Sequence, residues 1–462
     1  MEQQASVSRR SVWHCRRSWG GHLYKEAILI QIKKSADLIN ANLRNSERAA
    51  LGALVKFGPG KRIVIRLAEA IARPLVSIVD RLRTKDSGTS NGSRATQEIR
   101  NILVLEYWNL GDVVMQSPFL MNLRIQYPNA RITLLTSPKV APLIANQQLV
   151  DEVIELRVPW ALHYSRWHKY NPFSPLWLPL HRTLRALRAR RFDLAFSARA
   201  DLRDNFILWF VNSRRRVGYS FGGGGFFLTD SVTPDIRNPH FSNRWLKLLE
   251  HLEKPISNRE PQLRLTSAEH QAAVALLASH AVRETDFLVA VHPGARSVNR
   301  QWGEVNFTQV ADRLLDKFPV KIIWFQEPGQ RAAAPSGSRI VPLSLPLREF
   351  MAVLSRCGML ICNDSGPMHI ATALNVPVVA VFGPTEQAWF GPLGSNNQVV
   401  MRSGFWCRPC FDYCIFDQPY CLRTISIEDV YIPAEHTLRA LLDGREIHIP
   451  SSLRKVIQVQ EI

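Results

Sequence analysis

The chain has 462 residues, 58 of them Lys or Arg and 39 Asp or Glu, for a formal net charge of +19 at pH 7. Its length exceeds what one ordinary core organises, and its apolar fraction of 46% excludes a mostly disordered chain, so two or three folded domains are expected. No apolar run reaches the roughly 18 residues of a membrane-spanning helix, and the opening MEQQASVSRRSVWHCRRSWGG has no contiguous apolar segment of the secretory kind.

Residues 1–96 form the first segment, a basic helical extension. They carry 18 Lys/Arg against 7 Asp/Glu. YKEAILIQIKKSADLI and KRIVIRLAEAIARPLVSIVDRLR have helical apolar spacing with basic flanks. Pro74 is expected to kink or end the second of these, and TKDSGTSNGSRATQE reads as a flexible linker. Such helices either pack on the main body or face solvent, or lie on anionic lipid.

From Asn101 the pattern becomes α/β. NILVLEY reads as a buried strand, GDVVMQSPFLMNLRIQYP as a helix, ARITLLTS as a strand, PKVAPLIANQ as a short helix and VDEVIEL as a strand. A poorly periodic surface loop is expected between Pro159 and Trp177. FDLAFSARA and RRVGYS resume the strands, and FGGGGFF is a mobile loop without dinucleotide-fingerprint spacing. A second series begins near Thr285 with the strands DFLVAVHPGA, VKIIWFQEPG, GMLICND and VPVVAVFGPT. The helices NFTQVADRLLDKFP, PLREFMAVLSRC and GPMHIATALN alternate with them. Two such series predict two Rossmann-like domains facing a cleft, at residues 97–265 and 266–462, with ligands beyond the carboxyl ends of the strands.

That rule selects the candidate residues. Asp112, beside Gly111 in the first strand-to-helix turn, is placed to take a proton from a hydroxyl, and is equally a favoured helix cap. Arg296 and Arg300, in HPGARSVNRQW, can bind phosphate bidentately or be a solvated basic loop. In NDSGPMH, Ser365 and Gly366 open a helix whose free N–H groups suit an anion. Asp364 is expected to hold the loop or accept from a sugar hydroxyl, and His369 to donate to a phosphate oxygen or be structural.

No D-x-D metal clamp, P-loop or G-x-S-x-G elbow occurs. The run CRPCFDYCIFDQPYC brings Cys407, Cys410, Cys414 and Cys421 close in sequence. They are readable as a zinc or iron–sulfur site, or as a compact loop of free thiols. Cys357 and Cys362 read as small core residues, and reduced thiols in a cytoplasmic protein are expected.

GDVVMQSP, HPGARSVNRQW, NDSGPMHIATAL with PVVAVFGPT, and the Cys run occur in an order that resembles glycosyltransferase family 9, the family of the ADP-heptose:lipopolysaccharide heptosyltransferases. The resemblance covers Asn101 to Leu442. It implies a GT-B fold with the acceptor on the first domain and the donor on the second, and inverting, metal-independent sugar transfer without a cofactor. It also implies Asp112 as the base, and Asp364, Ser365, Gly366 and His369 near the diphosphate. Arg300 stands where the family often has Lys. FQEPGQ replaces the family's Gly-Gly-Pro, which makes Glu327 the acid expected near the adenosine. The expected partners are a nucleotide-sugar donor, an anionic lipid-linked glycan acceptor and peripheral contact with an anionic membrane surface; nucleic acid is not expected. Another nucleotide-sugar donor, or a non-catalytic sugar-nucleotide or polyanion binder, remains the alternative reading.

Overall fold

The computed structural model describes residues 59–86, 98–161, 171, 173–327, 335, 337–447 and 458–459. Helix α1, Pro59–Asp86, precedes two wholly parallel sheets. The first runs β3-β2-β1-β4-β5-β6, with β1 Asn101–Leu105, β2 Arg131–Thr136, β3 Glu152–Glu155, β4 Leu194–Phe196, β5 Arg215–Tyr219 and β6 Asp230–Val232. Its helices are α2 Leu110–Gln126, α3 Ala141–Ile144, α4 Trp177–Ala189, α5 Leu202–Phe210 and α6 Phe241–His251.

After α7, Ser267–Ser279, the second sheet runs β13-β12-β11-β10-β7-β8-β9. Its strands are β7 Phe287–His292, β8 Val320–Phe325, β9 Ile340–Leu343, β10 Met359–Asn363, β11 Val378–Phe382, β12 Gln398–Arg402 and β13 Gln458–Val459. Its helices are α8 Glu304–Lys317, α9 Leu347–Leu354, α10 Gly366–Ala373, α11 Gln387–Phe390, α12 Tyr420–Arg423 and α13 Ile427–Leu442.

Helices cover both faces of these sheets, which is why β10 and β11 are apolar along nearly their whole length and buried at every position. One apolar cluster joins the lobes, running from Val113, Met115 and Phe119 to Met368 and Ile370. The lobes meet where the starts of α2 and α10 cross. A Cβ on Gly366 would lie 2.9 Å from Leu110 Cβ, and one on Gly111 would lie 2.6 Å from His369 Cδ2. Only glycine allows that approach from both sides.

Several expectations are corrected. Of the two effects expected at Pro74, a kink or an end, the end does not occur: helix α1 continues through it. Contacts between its following turns and the first lobe offset the lost hydrogen bond, a penalty of about 3 kcal/mol in a helix interior. Thr84 to Asp86 belong to that helix rather than to the linker. FGGGGFF is a turn ending in a 3-10 segment, with Phe227 buried. Strands β6, β9, β12 and β13 and helices α4 to α7 and α11 to α13 are additional to those read. For α7 the capping box, Thr266 with Glu269, was written in TSAE. The helical segment YKEAILIQIKKSADLI and the linker at 87–97 lie outside the described residues. No helix among the described residues is long and apolar enough to cross a membrane.

Candidate active site

Asp112 lies in the first turn of α2, directly after the carboxyl end of β1, and is 7% exposed. It is not the N-cap. Asn109 is, and Asp112 sits three residues on, its Oδ2 accepting from Asn109 N and Nδ2, both at 3.0 Å. Oδ1 pairs with Arg199 Nη2 at 2.8 Å. Burial alone would raise the carboxyl's pKa, but the Arg199 charge and the Asn109 N–H groups outweigh it and hold Asp112 below the usual range. The expected N-cap role therefore falls to Asn109, and Asp112 supports that cap from the third helical position as the acid of a capping box.

Arg199 follows β4 and is the hub of the polar cluster in the first lobe. Its guanidinium stands 5.0 Å from the Trp108 ring centroid and 4.3 Å from that of Phe241. The same Nη2 reaches Glu106 Oε1 at 3.4 Å. Glu106, the last residue before Tyr107 at the end of β1, is fully buried, and its Oε2 has no hydrogen-bond partner. Burial raises its pKa to about 8, against the pull of Arg199 and with the push of Asp112. One carboxylate beside Arg199 is thus ionised at neutral pH and the other mostly protonated. Below them Asp204 accepts from the Tyr107 hydroxyl, and burial with the nearby Asp201 raises it to about 7. Arg244, on α6, lies 5.8 Å from the Phe241 centroid and has no carboxylate partner among the described residues. Burial and the nearby Arg199 lower its pKa to about 10.

Across the lobe junction, the β10 loop is stitched to the β7 loop by Asn363. Its Oδ1 accepts from Trp302 N at 3.0 Å and its Nδ2 donates to Pro293 O at 2.6 Å. Asp364 is buried; it accepts from Arg300 Nη1 at 3.2 Å and from the Thr385 hydroxyl. It holds the loop, as one of its two expected roles required. Ser365 caps α10 in an extended conformation, and Ser365 and Gly366 are half-buried rather than covered. His369 is buried against Gly111, and burial together with His240 lowers its pKa to about 3. It is therefore a neutral imidazole at physiological pH and contributes no full positive charge.

Arg296 and Arg300 are not a free basic loop. Both donate to Asp412, which lies inside the Cys run, with Arg300 Nε at 2.7 Å from Asp412 Oδ1. Asn299 Nδ2 adds a bond to the Asp412 carbonyl at 3.0 Å. Glu327 follows β8, 3.9 Å from His292 Nε2, and lines a cavity of about 230 Å³ with Pro293, Gly294, Glu304 and Trp324. That is smaller than the roughly 300–1,000 Å³ of a whole ligand site, and suits one ring system.

Cys407, Cys410, Cys414 and Cys421 are free thiols, and among the described residues no group of three or more Cys, His, Asp or Glu is arranged to hold a metal. A hydrogen bond between Cys407 and Cys410 lowers the first thiol and raises the second. The part of this run that meets the site is Asp412.

Glu106, Arg199, Arg244 and Asp412 were not singled out from the sequence. The first two had a signal, since each lies just past a parallel strand's carboxyl end. Arg244 and Asp412 had none, because a helix face and an irregular loop carry them there.

Residues 180–420 match the family model described as glycosyltransferase family 9 (heptosyltransferase). The lipooligosaccharide heptosyltransferase 2 of Haemophilus influenzae is 25% identical over 324 residues, covering 65% of this chain and 88% of that one. The lipopolysaccharide heptosyltransferase 2 of Salmonella typhimurium is 24% identical over 322 residues, covering 65% and 87%. Among solved structures, a family 9 glycosyltransferase from Veillonella parvula superposes with a TM-score of 0.58 at 23% identity, over 75% of this chain and 99% of that one. The E. coli ADP-heptose LPS heptosyltransferase II does so with a TM-score of 0.57 at 19% identity, over 75% and 99%. The matched span contains Arg199, Arg300, Asp364 and His369, while the superposed fold takes in both sheets. This chain belongs to glycosyltransferase family 9 and is a glycosyltransferase.

Proposed function

We propose that this enzyme moves a heptose from an ADP-linked donor onto a lipopolysaccharide core or related cell-surface glycan, with inversion at the anomeric carbon and without a divalent metal. The observation that carries the reading is Asp112, an ionised carboxylate at the crossing of α2 and α10, opposite the N-terminus of α10. The names of the relatives supply the sugar, the nucleotide and the acceptor class.

In this mechanism an acceptor hydroxyl attacks the anomeric carbon as the bond from that carbon to the diphosphate oxygen breaks. The hydroxyl proton passes to Asp112. Because Arg199 holds Asp112 at low basicity, the transfer comes late, when the attacking oxygen has become acidic. The charge left on the diphosphate is met by Arg300, by Arg296 and by the N–H groups at the start of α10. His369 contributes a neutral imidazole. The cavity beside Glu327 takes the base of the nucleotide. On the other lobe, Arg244, beside Arg199 and without a carboxylate partner among the described residues, suits a phosphate or carboxylate on the acceptor. An acceptor anchored in lipid puts the reaction at the cytoplasmic face of a membrane.

Two measurements test this. Asp112→Asn should keep donor binding, read as thermal stabilisation by ADP, and lose transfer, read as ADP release from the sugar nucleotide. Turnover at the parent rate would remove Asp112 from the mechanism. Stabilisation by UDP or GDP in place of ADP would keep the fold and the base but change the donor.

A further inference from the structure

Helix α1 is held to the acceptor-side lobe by its acids. Glu69 Oε1 accepts from Gly224 N at 2.6 Å, and Asp80 accepts from Arg216 Nη2 at 2.8 Å and from Trp209 Nε1 at 2.9 Å. Val76 is buried between these anchors. The opposite face is different. Ile71, Leu75, Ile78 and Leu82 are 71%, 60%, 53% and 58% exposed. Their spacing of four, three and four residues confines them to about 60° of arc, a continuous apolar stripe.

The charges are sorted by face. Within residues 69–82 the acids are Glu69 and Asp80, and both are turned to the protein. The bases are Arg73 and Arg81, both exposed; Arg81 lies about 80° round the helix from Ile71 and edges the stripe, whereas Arg73 lies on the side of Glu69 and Asp80. The outer surface of this stretch is therefore apolar and edged by Arg81, with neither carboxylate on it. Helix α1 as a whole has seven Lys or Arg against three Asp or Glu, inside a segment, residues 1–96, with 18 against 7. Apolar side chains flanked by cations are what the headgroup boundary of an anionic bilayer accepts.

We infer that the outer face of α1 is a membrane-docking surface, with Ile71, Leu75, Ile78 and Leu82 inserting among anionic lipids. Glu69 is fastened to the loop after β5, at the end of the sheet where the acceptor site lies, and Asp80 to Arg216 near the start of that strand. Docking through α1 therefore brings the acceptor lobe, rather than the donor lobe, to the bilayer. The inference rests on the lipid-linked acceptor of the proposed function only for its purpose; the surface itself is read from α1.

The test is cosedimentation of the full chain with vesicles of phosphatidylglycerol in phosphatidylcholine, and with phosphatidylcholine alone, across a salt series. The wild-type chain should bind the anionic vesicles, less so as salt rises. Leu75→Asp with Ile78→Asp should bind at least about tenfold more weakly, since the change removes apolar insertion and adds charge that anionic lipid repels. The same variant should retain the wild-type melting temperature and its stabilisation by ADP, because both positions face away from the lobe. Absence of wild-type binding overturns the inference. So does equal binding by the variant, which would assign the affinity to other basic segments. A wild-type dimer that the variant dissociates, with vesicle binding unchanged, also overturns it and makes the stripe a contact between copies. Vesicle binding is read without any sugar donor, so its failure leaves the transfer reaction standing, and loss of the transfer reading leaves the docking result standing.

Discussion

Replacing Arg199 with Met tests the electrostatics of the site most directly. Methionine keeps apolar bulk between Trp108 and Phe241 but removes the charge that sits 2.8 Å from Asp112 and 3.4 Å from Glu106. Breaking a buried ion pair on one side costs about 3–5 kcal/mol. Glu106, with its pKa near 8, is mostly neutral at pH 7 and loses little. The cost therefore falls on Asp112 alone and belongs at the low end, about 3 kcal/mol. For a lobe of this size that is a fall in melting temperature of about 6–12 °C.

The sign with pH follows from Asp112. Its depressed pKa contributes stability that is present above its unfolded value and is lost as pH falls through its folded value. The gap between wild type and Arg199→Met should thus be widest near neutrality and close in acid. In kcat/KM the acid limb should move to higher pH, because desolvation of Asp112 is then opposed only by Asn109. Arg199→Lys restores the charge without the two-carboxylate reach or the stacking, and should return most of the limb. A pH–rate profile for Arg199→Met that overlays the wild type, or a Lys variant no better than Met, would refute the assignment of Arg199 as the group that keeps Asp112 ionised.

Glu106→Gln should flatten the pH dependence of stability. The folded state holds this proton up to about pH 8, so the group's contribution is full in acid and fades as pH rises from the unfolded value toward 8. The variant should be the more stable protein at pH 8.5 by about 1–3 kcal/mol, with a residual slope from Asp204. Asp412→Asn should tighten ADP binding by about three- to tenfold in calorimetry, since the carboxylate that occupies Arg296 and Arg300 competes with a diphosphate. Weaker binding would instead make Asp412 the organiser of the two arginines. Gly111→Ala places a Cβ 2.6 Å from His369 Cδ2 at the lobe junction, so it should cost about 1–3 kcal/mol and lower kcat/KM. An unaffected rate would show that the crossing of α2 and α10 opens during turnover.

Much of this architecture is legible in residue order. The buried strands ending in EYWNLGD, HPGA and NDSGP announce themselves by apolar runs cut off by Gly, Pro and Asp, and those endings supply Asp112, Asp364 and the start of α10. Short edge strands were not legible. Asp230–Val232 and Ile340–Leu343 each occupy a sheet edge; the first is three residues long and mostly polar, and the second is a four-residue run holding Pro342, a residue that argues against a strand. Pro74 does not end its helix because local backbone preference is outweighed by Glu69, Val76 and Asp80 gripping the first lobe from either side of it.

The amino-acid order alone determined two parallel α/β units, the turn that presents Asp112 and the loop that begins α10, because each depends on contacts within a few residues. Tertiary structure alone decided the chemical state of those groups. Arg199 comes to Asp112 from 87 positions away in the chain, Asp412 to Arg300 from 112 positions away, and His369 to Gly111 across the lobe junction. A carboxylate's charge and an arginine's availability are set by what desolvates and pairs them, and that is a property of the assembled cleft.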